Sequence, residues 1–333
     1  MPAVTETVTE TESKPNEPEH APRLRSGLGH RLVFTVFALT ILLAFLAGVL
    51  IYFKFVAYAR VAARHLPADT LLAARIDVET VLISESVRGR LLPLFDQGRH
   101  GRTDLKTRHD RFRAHTGVEL GRDLREIVLG VAGSGWVVVF GGKFPRTGLV
   151  AGLQTTLREE DTPATLSDGL LQVQGGPAIG QAVDGALIVA SDAARLRAAL
   201  QGSEAYLKLG LPPEGAGGFA LLVRAPIPPG FDDFDRVSGS VELGQAMDVD
   251  VAVRMRPGIT ADPAAVGRSF ATLGASAPVT SLVRRPLEQA QIQPRRPDEV
   301  GVRLAWQRPE LDAGAAWLGA LLEAQFARTA PRP

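Results

Sequence analysis

The sequence predicts an α+β protein: one N-terminal transmembrane helix, then two antiparallel-sheet halves of related topology, in the order of a ferredoxin-like split βαβ unit. Three observations carry this. Leu32–Phe53 contains no charge. Beyond residue 66, short apolar runs alternate with Gly, Pro and Asp-Gly turns. The order strand, hairpin, helix, strand, helix occurs on both sides of a Pro- and Gly-rich stretch.

The 22 uncharged residues of Leu32–Phe53 would form a helix of about 33 Å, against a hydrocarbon core of about 30 Å. Arg31 and Lys54 bracket it, and Tyr52, Phe53, Phe55 and Tyr58 form an aromatic belt at one end. A cleaved signal peptide ending at Ala57-Tyr58-Ala59 fits less well, because the apolar run is too long and Lys54 interrupts it. The expected arrangement is a single-pass signal-anchor in the inner (cytoplasmic) membrane, with a cytoplasmic N-terminus and an extracytoplasmic main domain. Flanking positive charges tie, so this orientation rests on the short tail preceding a large domain. Residues 1–31 are a polar, Glu-rich tail without an apolar period, and disorder is expected there.

The first half is expected at 66–208. Leu71–Asp77 is read as a strand and Val78–Phe95 as a helix. Ile127–Ala132 and Trp136–Phe140 are apolar strands around Gly133-Ser134-Gly135, hence a hairpin. A helix over Thr147–Glu159 precedes a meander, Leu170–Val173, Ala178–Val183 and Ala186–Ala190, whose last turn is Asp184-Gly185. Asp192–Gln201 closes the half as an amphipathic helix.

Residues 209–217 read as a linker, 218–328 as the second half and 329–333 as a tail. Val237–Leu243 and Met247–Met255 alternate cleanly, giving a hairpin with one solvated face. Asp262 caps a helix over Asp262–Leu273, with Pro263 in its first turn. Val300–Trp306 is a strand, and Glu310–Phe326 a helix with Leu311, Leu318, Leu322 and Phe326 on one stripe.

A net charge of +1 gives no case for a nucleic-acid partner. The absence of cysteine excludes disulfides, thiolate metal sites and a catalytic thiol. The basic stretch Arg88–His115 places Arg102, Lys106, His109 and Arg113 at helical spacing, a candidate contact for anionic lipid. A solvated helix explains the same charges. His100, His109 and His115 match no zinc spacing, so no metal is expected. Gly133-Ser134-Gly135 lacks the third glycine and the following helix of a dinucleotide site, so no cofactor is expected. Asp248 and Asp250, with Glu242 across the hairpin, read as a solvated sheet face. Arg284-Arg285-Pro286 to Arg295-Arg296-Pro297 reads as a basic surface loop. Trp136, Trp306 and Trp317 are assigned to core packing.

The functional expectation is a membrane-anchored envelope protein with an exported binding or scaffold domain, not an enzyme. Its partners would be the membrane through 32–53, an envelope protein and anionic lipid. Two alternatives stand beside it: an enzyme with a site assembled from scattered residues such as Asp110, His115 and Asp248, and a periplasmic lipid or small-ligand carrier.

Overall fold

Strand β1, Leu72–Asp77, is the centre of the architecture. It pairs antiparallel with β2 (Leu124–Ala132) on one side and with β8 (Gly217–Leu222) on the other, so Leu72 faces both Val131 and Leu221. The structure is a computed structural model describing residues 60–83, 103–224, 231–276, 281–313 and 316, with backbone alone at 103–109, 273–276 and 281–283.

On the β2 side the sheet continues through β3 (Gly135–Gly142), then β7 (Leu187–Ala190), β6 (Ala178–Gln181), β5 (Leu170–Val173) and β4 (Ala164–Ser167). On the β8 side it continues through β9 (Phe234–Leu243), β10 (Met247–Met255), β12 (Glu299–Trp306) and β11 (Gln291–Arg296). These twelve described strands form one sheet, and every pairing in it is antiparallel.

The helices follow from local chemistry. Helix α1 (Val78–Ile83) begins where the Asp77 carboxylate accepts from the Thr80 N–H at 2.8 Å. Helix α2 (Thr103–Thr116) packs against α4 (Leu149–Glu159), and a single turn, α3 (Leu120–Asp123), leads into β2. Gly152 permits the α2–α4 approach, since a Cβ there would overlap the His115 carbonyl. Asp192 caps α5 (Ala193–Gln201) by accepting from the Arg195 N–H at 2.8 Å. The short α6 (Ala205–Leu209) ends at Gly210 in the left-handed region. Asp262 accepts from the Ala264 N–H at 2.9 Å and opens α7 (Pro263–Ser276), which is followed by α8 (Ser281–Glu288).

Two expectations are corrected here. The halves are not two sheets of split βαβ type: β1–β8 pairing fuses them into one continuous sheet. The single-pass anchor, and the inner-membrane placement with an extracytoplasmic domain built on it, are not supported. Among the described residues no helix is long and apolar enough to cross a membrane, and 32–53 lies outside those residues.

Candidate functional site

Successive strand residues point to opposite faces, and directly paired residues share a face, so register assigns every side chain a side. Face one holds Ala73, Val128, Val137, Ile188 and Ala220. Face two holds Ala74, Leu129, Val138, Val189 and Phe219.

The first half buries face one. A 3-10 turn at Ala62–His65, with α5 and α6, covers it, and Ala62, Leu66, Leu196, Ala199 and Leu209 complete the first core. The second half buries face two. There Val249, Val251, Val253, Val300, Val302 and Leu304 pack with Val266 and Phe270 of α7. The covered side therefore changes across β8, the strand that serves both cores. Ala220 and Leu222 pack into the first, Phe219 and Val223 into the second.

Among the described residues each half has one face left open, and the two differ in chemistry. In the second half the open face carries Ser238, Ser240, Glu242, Asp248, Asp250, Arg254 and Arg303. Ion pairs lace it: Arg303–Asp248 at 3.5 Å, Arg254–Asp298 at 3.2 Å, and Arg295–Asp250. Gly301 lets Arg295 lie across the sheet, because a Cβ would meet its side chain. This is a solvated face, as the alternation of β9 and β10 predicts.

In the first half the open face is apolar. It presents Leu72, Ala74 and Ile76 on β1, Ile127, Leu129 and Val131 on β2, Trp136, Val138 and Phe140 on β3, and Leu187 and Val189 on β7. None of these residues is fully buried. Ile76 is 46% exposed, Val131 36% and Trp136 37%. The ionic group of the face, Arg125, pairs with Glu79 of α1 at 3.1 Å. A contiguous apolar area of this kind marks a surface that meets another apolar surface.

Behind it, on the covered side, lies a buried ionic cluster. Arg75, Asp77 and Glu126 are 3%, 5% and 2% exposed. Arg60 pairs with Asp77. Glu126 accepts from the Ala62 N–H at 3.3 Å. Arg75 donates to the carbonyls of Pro212 (3.1 Å), Glu214 and Gly215 (3.2 Å), so the Pro- and Gly-rich stretch read as a linker is pinned to the sheet centre. Burial pushes the Glu126 carboxyl above its ordinary range, against the Ala62 N–H, Arg75 and Arg60. Burial also lowers Arg75, helped by the nearby Arg60 charge. Every cluster member answers a local charge or backbone group, so it fixes the fold.

The residues singled out in the sequence do not gather. Arg102 lies outside the described residues; Lys106 and His109 lie on α2, where their side chains are not described. Arg113 on the same helix is exposed and pairs with Asp110 at 3.8 Å. His115 meets Glu159 at 3.0 Å, and His100 and Trp317 lie outside the described residues. Asp248 lies on β10, on the solvated face of the second half. Among the described residues, no three His, Asp or Glu side chains could hold a metal ion. The stretch Arg295-Arg296 is part of edge strand β11. Gly133-Ser134-Gly135 makes the β2–β3 turn, where the Ser134 hydroxyl accepts from Arg195 at 2.6 Å. Trp306 packs against the second core, whereas Trp136 stands on the open face.

A cleft of about 630 Å³ opens between α7, α8 and β11, lined by Phe270, Leu287 and Ile292 with the exposed Arg284 and Glu288 beside them.

Sequence reading missed the apolar face, although a signal existed. Ile127–Ala132 and Trp136–Phe140 are apolar at every position but glycine, whereas β9 and β10 alternate. A strand with one wet face does not need both sides apolar.

No protein-family model matches the chain, and no curated protein matches it. Among solved structures it is similar to crystal forms III, I and IV of TP0453, with TM-scores of 0.44, 0.43 and 0.42. Identities are 8%, 7% and 9%, over 76%, 77% and 80% of this chain and 96%, 97% and 97% of those chains.

Proposed function

We propose that this chain is a non-catalytic binding module whose working surface is the apolar open face of β1, β2, β3 and β7. One observation carries the reading: among the described residues, one open face is laced with ion pairs and the other has none in its interior. Burying apolar area contributes about 25 cal/mol per Å², so a partner that covers these side chains gains where water cannot. The chain contains no cysteine, so a photocrosslinker attached to a single Trp136→Cys reports contacts in cells. A discrete protein adduct is expected there and none from Ser240→Cys. No adduct at Trp136→Cys, or turnover of ester, peptide, glycan or phosphate substrates by the purified chain, contradicts the reading.

A second reading, a carrier of a small apolar ligand, is favoured by the α7–α8–β11 cleft. Mass spectrometry of the extracted protein tests it. Co-purified lipid that is lost in Ile292→Trp supports it, and an empty extract contradicts it.

A further inference from the structure

We propose that the cleft between α7, α8 and β11 takes a single-chain amphiphile with a zwitterionic head, its apolar chain in the cleft and its head on Arg284 and Glu288. This rests on the reading of that cleft as a carrier site and names its ligand class. At about 630 Å³ the cleft falls within the roughly 300–1,000 Å³ of small-molecule sites. Its walls are apolar: Gly267, Phe270 and Ala271 of α7, Leu287 of α8, Ala290, and Ile292 of β11. Gly267 leaves room beside Ile292, because a Cβ there would lie 3.2 Å from the Ile292 Cδ1 atom. Glycine inside a helix is disfavoured against alanine, so this space comes at the expense of helix stability.

The rim decides the head. Arg284 and Glu288 are exposed and stand one turn apart on α8. Among the described residues neither has an ion-pair partner, although side chains at this spacing are within reach of each other. Their neighbours are neutralised: Arg285 pairs with Glu310 at 3.2 Å and Arg268 with Asp262 at 3.7 Å. Glu288 is the last residue of α8, where the helix dipole disfavours a carboxylate and favours a cation beside it. A purely anionic head on Arg284 would face the Glu288 charge, and a purely cationic head on Glu288 would face Arg284. A head with both charges answers both: its phosphate accepts from the Arg284 guanidinium while its ammonium lies against the Glu288 carboxylate.

Equilibrium dialysis of the full chain tests this with probes of one chain length, each below its micelle concentration: dodecylphosphocholine, dodecanoate and dodecyltrimethylammonium. Ala271→Trp places an indole in the cleft from an exposed position, so the binding it abolishes is the cleft's own. That component is expected to favour dodecylphosphocholine about tenfold over each of the others. Glu288→Gln is expected to turn the preference toward dodecanoate and Arg284→Gln toward dodecyltrimethylammonium, a reversal that misfolding cannot produce. Equal binding of the probes, tighter binding of a singly charged probe, or a preference that either substitution leaves unmoved overturns the head assignment and leaves the carrier reading standing. The absence of any binding sensitive to Ala271→Trp overturns both.

Discussion

Phe219 and Ala220 are neighbours on β8, yet they belong to different cores: Ala220 packs into the first on one side of the sheet, Phe219 against the second on the other. This pair marks where the covered side of the sheet changes. The run Phe219–Val223 is apolar throughout because this strand meets a core on each face.

The two cores share strand β8 but no residue. Leu196→Ala in the first, where Leu196 is fully buried, and Leu304→Ala in the second are each expected to cost about 2–5 kcal/mol. Their double mutant is expected to be additive within about 0.5 kcal/mol, because β3 and β7 lie six and seven strand positions from β12 in the sheet. Denaturant unfolding of the four proteins checks this; strong coupling would show that the cores are one.

Glu126 gives a pH signature. Its folded carboxyl lies above the ordinary range of about 4.3, chiefly through burial, so the folded state holds the proton more tightly than the unfolded chain. Stability from this residue is therefore full in acid and is lost as pH rises through the folded value. Glu126→Gln cannot ionise, and its melting temperature is expected to gain on the wild type as pH rises above the ordinary carboxyl value of about 4.3. Asp123 has the opposite sign. Burial raises its carboxyl, but hydrogen bonds from Arg122 and the Glu119 N–H outweigh this and leave it lowered. Its contribution is present above the unfolded value and lost as pH falls, so the deficit of Asp123→Asn is expected to close in acid.

The α2–α4 contact depends on a glycine. Gly152→Ala is expected to cost about 1–3 kcal/mol, because the added methyl group has only the His115 backbone to push against. Circular dichroism melting checks it. An unchanged melting temperature would mean that the two helices do not press together.

Local chemistry made much of this fold legible. The β9–β10 hairpin follows from strict alternation, with Val241 opposite Val249 as the inward pattern requires. The Asp192 and Asp262 caps follow from residue type. Strand β4 went unread, although Asp168-Gly169 signals its hairpin with β5: both residues have positive φ, 53° and 75°. At Asp184-Gly185 only the glycine does, at 99°. Strand β11 was hidden by Pro294, which is tolerated because the strand lies at the sheet edge. The β1–β8 pairing could not be read, because Leu72 and Leu221 meet across most of the first half and leave no local trace. The charges inside Leu72-Ala-Ala-Arg-Ile-Asp77 were the available hint. Arg75 and Asp77 share the phase of buried Ala73, and Arg75 is what holds residues 212–215 against the centre.

The most direct test is the rate of maleimide labelling at Val138→Cys, with Ser240→Cys as reference, in the purified chain and in cells. Labelling at Val138→Cys is expected to be slower in cells than in the purified chain, relative to Ser240→Cys. An equal ratio in both settings would contradict the reading of the apolar face of β1, β2, β3 and β7 as a docking surface.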